Sequence, residues 1–177
     1  MPYASMNNVI GIVLAGGNSS RMGENKAHLL YEGRSLLDHM INLLGESGCA
    51  QIYVSGDYKG YACLEDHKPG AGPAAAMADI INRFSPPKKL VFVPVDMPFL
   101  TPDLLSGLMG QSEGAFYADK HFPAMIPAQD ISQSFEGQPV MSLFDFLGMK
   151  MLDVSSDHEA LFANINTPEQ WADLVEL

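Results

Sequence analysis

At 177 residues, with 47% apolar and 18% charged, the chain is sized for one domain with a substantial buried core, which excludes a chain disordered as a whole. Its 21 acids against 10 bases give a formal charge of −11, and an extended nucleic-acid surface, which depends on clustered Lys and Arg, is excluded with it. No apolar run approaches the ~20 residues that span a bilayer, and no basic stretch followed by an apolar core reads as a secretion signal.

Met1 to Asn7 is short and polar and is expected to be disordered; the remainder reads as a single domain over 1–177. Val9 to Leu14 is an unbroken apolar run with β-branched residues, which predicts a buried strand. It leads into Ala15, Gly16 and Gly17, small residues that let the backbone turn and approach a ligand closely. Asn18, Ser19 and Ser20 add an amide and two hydroxyls, and Arg21 and Lys26 place two cations in one short loop. A strand tip, exposed backbone N–H groups and fixed positive charge suit a polyphosphate. Neither G-x-x-x-x-G-K-[ST] nor G-x-G-x-x-G is present; the loop reads L-A-G-G-x-S-x-R-M-G-x-x-K.

Leu29 to Tyr31 follows as a brief extended piece, with Glu32-Gly33-Arg34 as a turn. Ser35 is placed as an N-cap with Asp38 three residues on. Leu36, Leu37, Met40, Ile41, Leu43 and Leu44 then recur at helical spacing up to Gly48. Gln51 to Ser55 reads as the next strand, joined to the first by a right-handed crossover. Tyr61 to Glu65 is a weaker strand, Asp66 to Gly72 a loop, and Pro73 opens a helix whose face carries Ala74, Met77, Ala78 and Ile81. Lys89 to Pro94 predicts another buried strand, and Thr101-Pro102 caps and opens the helix after it.

Beyond residue 113, Ala115 to Ala118, Ala124 to Ile126 and Met151 to Val154 are strand candidates, and Val140 to Leu147 has helical spacing. Ala160 to Ile165 leads into Asn166, and Thr167-Pro168-Glu169 starts a last helix, with Gln170 completing a capping box. Strands alternating with helices indicate an α/β sheet, mostly parallel, with helices on both faces.

Ligands of such sheets collect at the carboxyl ends of the strands, which singles out Asp96, directly after the Lys89 to Pro94 strand. A carboxylate there can hold Mg²⁺, which takes one or two protein carboxylates plus substrate phosphates; the alternative is a turn cap before Pro98. Asp66, ending a strand near the same rim, reads equally as a loop cap or a ligand. Asn164 and Asn166 can bind a phosphate or simply order their turn, and His121 is a lone histidine. Cys49 and Cys63 lie far apart with no C-x-x-C, which argues against a zinc site and a disulfide framework. A reduced, cytoplasmic monomer or weak oligomer is expected.

With the L-A-G-G-x-S-x-R-M-G-x-x-K loop, the chain resembles the MobA-like nucleotidyltransferases, and most closely the molybdenum cofactor guanylyltransferases. That resemblance implies a Rossmann-like three-layer sandwich of the nucleotide-diphospho-sugar transferase type. It implies nucleotide contacts from Leu14, Ala15, Gly16, Gly17, Ser19, Arg21, Lys26, Ser55, Asp66 and Asp96, with Asp96 of the P-x-D-x-P segment also on the metal. Arg21, Lys26 and Asp96 become the catalytic set. His121 and the Asn164-Ile-Asn166-Thr-Pro segment fall on the acceptor side.

The likeness is good over residues 9 to 105 and thinner beyond. The family's G-P-L-A-G reads Gly72-Pro-Ala-Ala-Ala76 here, Ser55 stands where guanylyltransferases often have Asn, and the region from Pro127 to Asp153 is shorter. The implied reaction is transfer of GMP from GTP to molybdenum-bound molybdopterin, a phosphorylated pterin-type acceptor, with Mg²⁺ as cofactor. A cytidylyl- or other nucleotidyltransferase acting on a different acceptor, or a nucleotide-binding partner protein with reduced catalysis, stays open.

Overall fold

Side-chain alternation along the central strands divides the core into two layers, one on each face of a sheet. The computed structural model describes residues 8–16 and 25–175. In β1 (Val9–Leu14) and β6 (Lys89–Pro94), Ile10, Ile12, Leu90 and Phe92 face one side. They pack there on Met77 and Ile81 of α2 (Pro73–Asn82) and on Leu143 and Phe144 of α4 (Val140–Phe146). Val13, Val91 and Val93 face the other side, against Leu37, Met40 and Leu44 of α1 (Leu36–Glu46) and Leu105 and Leu108 of α3 (Pro102–Met109). A strand covered on both faces needs an unbroken apolar run, and both strands have one.

The sheet holds seven strands. β4 (Gln51–Ser55) and β5 (Cys63–Leu64) lie to one side of β1; β6, β8 (Ala124–Pro127), β7 (Ala115–Tyr117) and β9 (Lys150–Leu152) lie in that order on the other. All run parallel except β8, which is antiparallel to both neighbours. The connection over residues 118–123 is too short for a parallel crossover, so the chain can only turn back. After β1 the chain builds outward through β4 and β5, then crosses back to place β6 on the far side of β1. The carboxyl ends of β1 and β6 thus flank the point where strand order reverses, the place where open α/β sheets form a ligand crevice.

β2 (Leu30–Tyr31) and β3 (Arg34–Ser35) form a separate hairpin through Glu32 and Gly33, both at positive φ. That two-residue turn matches the strands' natural twist. Two expectations change in detail: β5 is only two residues long, and β9 starts at Lys150. The segment before Asn166 forms a 3-10 turn over Ser156–Phe162, anchored by the buried Phe162, and its C-cap Ala163 is already extended. α5 (Pro168–Val175) follows, opened by the expected capping box: Gln170 Oε1 accepts from Asn166 N at 2.7 Å, and Thr167 Oγ1 accepts from Gln170 N at 3.2 Å. No helix among the described residues is long and apolar enough to cross a membrane.

At Gly11 the sheet and α1 approach closely. A Cβ there would stand 2.8 Å from Leu44 Cδ1 and 3.2 Å from Leu44 Cβ, and Leu44 is fully buried. Gly11→Val is therefore expected to destabilise by about 1–3 kcal/mol through overpacking, despite valine's preference for strands. At about 2–4 °C per kcal/mol for a chain of this size, melting should fall by roughly 2–12 °C. An unchanged melting temperature would mean that α1 can shift away from β1 at no cost.

Candidate active site

The strand tip and the strand end are bound to each other before any side chain takes part: Val95 N donates to Leu14 O at 3.1 Å across the ends of β6 and β1. Gly16 follows directly, and a Cβ there would come to 3.4 Å from Ser55 O, so the first turn lies flat against the end of β4. Gly17, Ser19 and Arg21 fall outside the described residues.

The chain re-enters at Asn25, whose Oδ1 accepts from Ala27 N at 3.1 Å and caps a 3-10 turn over Lys26–His28. Ala27 is fully buried, which anchors the turn and fixes the point from which Lys26 projects. Lys26 Nζ donates to Asp96 Oδ2 at 2.8 Å and to Asn166 Oδ1 at 3.0 Å. The side chains of Lys26 and Asp96 are 15% and 19% exposed, so their attraction is screened less than that of a surface pair. Asp96 O accepts from Ile165 N at 2.9 Å, which brings the Asn166 segment to the same point. His39 Nε2 lies 2.9 Å from Pro98 O; a carbonyl only accepts, so this nitrogen carries the hydrogen and ties the loop after Asp96 to α1.

These groups open onto a cleft of about 290 Å³ at the reversal point of the sheet. Leu14, Ala15, Gly16, Lys26, Ser55 and Asp96 line it, and Pro73, Ala76 and Met77 of α2 together with Phe122 form the rest of the wall. Asp96 Oδ2 and Asn166 Oδ1 converge on one ammonium, and a pair of hard oxygens around a positive charge is a donor set that suits Mg²⁺ or Mn²⁺. No cluster of three or more His, Cys, Asp or Glu exists among the described residues, so a cation here would be held by Asp96, with substrate phosphates completing its shell. Cys49 and Cys63 are free thiols; burial pushes Cys49 up to about 12, which keeps it protonated and unreactive at neutral pH.

Three sequence candidates stand elsewhere. Asp66 is exposed, its Oδ1 accepts from Lys68 N at 2.9 Å, and it lines a separate groove of about 210 Å³ between α2 and residues 131–136. With β5 ending at Leu64, the carboxylate turns onto its own loop instead of reaching the shared rim. His121 and Asn164 are exposed and do not line the cleft; Phe122, beside His121, does. Phe122 and Asn25 were not marked by any spacing in the sequence, although Asn two residues before Ala27 is an ordinary turn-capping position.

Residues 11–144 match the MobA-like NTP transferase domain. The chain belongs to that family. It is 35% identical over 176 residues to a molybdenum cofactor guanylyltransferase of Xanthomonas euvesicatoria, covering 93% of each chain. Its fold is that of the molybdopterin-guanine dinucleotide biosynthesis protein A of Archaeoglobus fulgidus (TM-score 0.70, 19% identity, 94% of this chain and 97% of that one). A Mycobacterium tuberculosis protein solved in complex with manganese is also similar (TM-score 0.64, 18% identity, 96% and 98% covered). As a MobA-like nucleotidyltransferase, the chain is a member of an enzyme family.

Proposed function

We propose that this MobA-like chain, acting as a single domain and as a monomer or weak oligomer, transfers GMP from GTP to molybdenum-bound molybdopterin. A terminal phosphate oxygen of the acceptor attacks the α-phosphorus, the bond to the β-phosphate oxygen breaks, and pyrophosphate leaves. The observation that carries this reading is the 2.8 Å contact of Lys26 with Asp96 inside one cleft, between a phosphate-type loop and a strand-end carboxylate.

Two anions must meet in this reaction, so the site has to neutralise charge more than supply a base. Asp96 and Asn166 take two of the three ammonium hydrogens of Lys26; a phosphate oxygen in the cleft takes the third. Lys26 thereby stabilises charge as it moves toward the leaving group, and Arg21, in the same loop, is assigned the same role. Magnesium or manganese, held by Asp96 and the triphosphate, supplies Lewis-acid neutralisation when bound. Leu14, Ala15, Gly16, Gly17 and Ser19 present backbone and hydroxyl donors to the phosphates, and Ser55 meets the nucleotide at the end of β4. A phosphate acceptor is ionised near neutral pH, so a nucleophile–histidine pair is unnecessary, and no histidine lines the cleft among the described residues.

Thermal stabilisation separates the bases. With Mg²⁺, GTP at a hundred times its Kd is expected to add about 2.7 kcal/mol and raise melting by roughly 5–10 °C, with CTP and ATP well below it. Ser55 favours a second reading, since a hydroxyl offers fewer hydrogen bonds to guanine than an amide would. A larger shift with CTP would replace the guanylyl assignment by a cytidylyl one, and pyrophosphate release with a panel of phosphorylated acceptors would then identify the second substrate.

A further inference from the structure

Between β4 and β5 the chain runs Gly56-Asp57-Tyr58, and Tyr58 is buried, at 9% exposure. Gly56 has φ +129°, and a Cβ on it would stand 2.9 Å from Tyr58 Cε2, so the ring folds over a residue that has to be glycine. The backbone is held on the other side by Cys63, whose Sγ accepts from Tyr58 N and donates to Tyr58 O, both at 3.3 Å. The ring lies tilted against His28, centroids 5.9 Å apart. Its orientation is therefore set from three directions, and its hydroxyl is delivered to one point.

At that point the hydroxyl donates to Ala15 O at 2.8 Å and accepts from Asn25 Nδ2 at 3.2 Å. Ala15 precedes and Asn25 follows the segment 16–24, which carries the glycines, the serines and Arg21 of the candidate phosphate loop. Lys26 comes directly after Asn25. We infer that Tyr58 is a positioning residue for nucleotide binding: its hydroxyl ties the two ends of the phosphate loop together and so sets where Lys26 stands against Asp96. The inference rests on the reading that this loop takes the triphosphate. Without the hydroxyl, Ala15 O and the Asn25 amide lose a shared partner, and the one direct tie between the two ends of the loop among the described residues is removed.

The test is the dissociation constant of Mg·GTP, measured calorimetrically for Tyr58→Phe in the native background and in Lys26→Ala. Tyr58→Phe keeps the ring and its packing. It is expected to weaken binding roughly five- to fiftyfold in the native background, the range for orphaning one buried hydrogen-bond partner, and less than twofold once Lys26 is gone. Asn25→Ala, at an exposed position, should lose at least as much, since it also removes the cap on Ala27 N. A purely structural tyrosine would lower the melting temperature and leave the constant unchanged, or weaken binding equally in both backgrounds; either result overturns the inference. If Lys26→Ala weakens binding while Tyr58→Phe and Asn25→Ala do not, the tyrosine role alone fails. If Lys26→Ala leaves binding unchanged, or the native protein does not bind Mg·GTP, the phosphate-loop reading fails and takes this role with it.

Discussion

Lys26→Ala should lower turnover by roughly 10²-fold or more, with a smaller rise in KM for the nucleotide. The magnitude is that of removing one preorganised electrostatic contact from a transition state. The split between kcat and KM follows from where the ammonium acts. Charge builds on the leaving pyrophosphate only as the bond to the α-phosphorus breaks, so Lys26 contributes more there than to ground-state binding. The variant also leaves Asp96 and Asn166 without their shared donor. The Lys26 and Asp96 side chains are both more than four-fifths buried, so a loss of stability is expected beside the loss of rate, and a melting curve separates the two. Lys26→Arg is not expected to restore full activity, because a planar fork cannot reproduce a compact charge held between a carboxylate and an amide. Pyrophosphate release is the measurement, and near-native turnover in Lys26→Ala would refute the role assigned to it.

The parts of this site legible in the sequence are those set by short-range rules. β1 and β6 announced themselves because both are covered on both faces and had to be unbroken apolar runs. Once they are parallel neighbours, Leu14 and Pro94 fall in register, and the residues just beyond must share an edge. That puts Asp96 at the tip of β1; Lys26 reaches it from the turn that Asn25 caps and buried Ala27 anchors. The caps at Ser35, Thr101 and Thr167 were equally legible, since each satisfies an amide within three residues of itself.

What was not legible depended on distant partners or on the exact end of a weak element. Asp66, read equally as a loop cap or a ligand, caps its own loop: β5 stops at Leu64 and the carboxylate accepts from Lys68 N. Phe122 forms a wall of the cleft through a connection whose direction is set by the antiparallel β8. Tyr58 reaches Ala15 across 43 positions, a contact that no local pattern encodes. In the last third, the 3-10 turn over Ser156–Phe162 carries a single buried residue, Phe162, and so leaves no apolar period to read.

Asp96→Asn is the sharper test of the chemistry, because it changes charge while keeping shape. The amide oxygen can still accept from Lys26, so the 2.8 Å contact can survive as a neutral–charged hydrogen bond, and Ile165 N still finds Asp96 O from the backbone. The fold should be unaffected. What is lost is the negative charge at the mouth of β6. If that charge holds the cation, turnover should fall by roughly 10²–10³-fold, the scale of losing one electrostatic contribution to the transition state. The magnesium concentration for half-maximal rate should rise with it, and manganese, with its greater affinity for the same oxygen ligands, should recover more of the rate than magnesium. If instead Asp96 only orients Lys26, the asparagine variant would keep its magnesium titration and lose rate through the lysine alone. The two roles therefore separate on a single axis: a shifted metal titration assigns the carboxylate to the cation, and an unshifted one returns it to the ion pair.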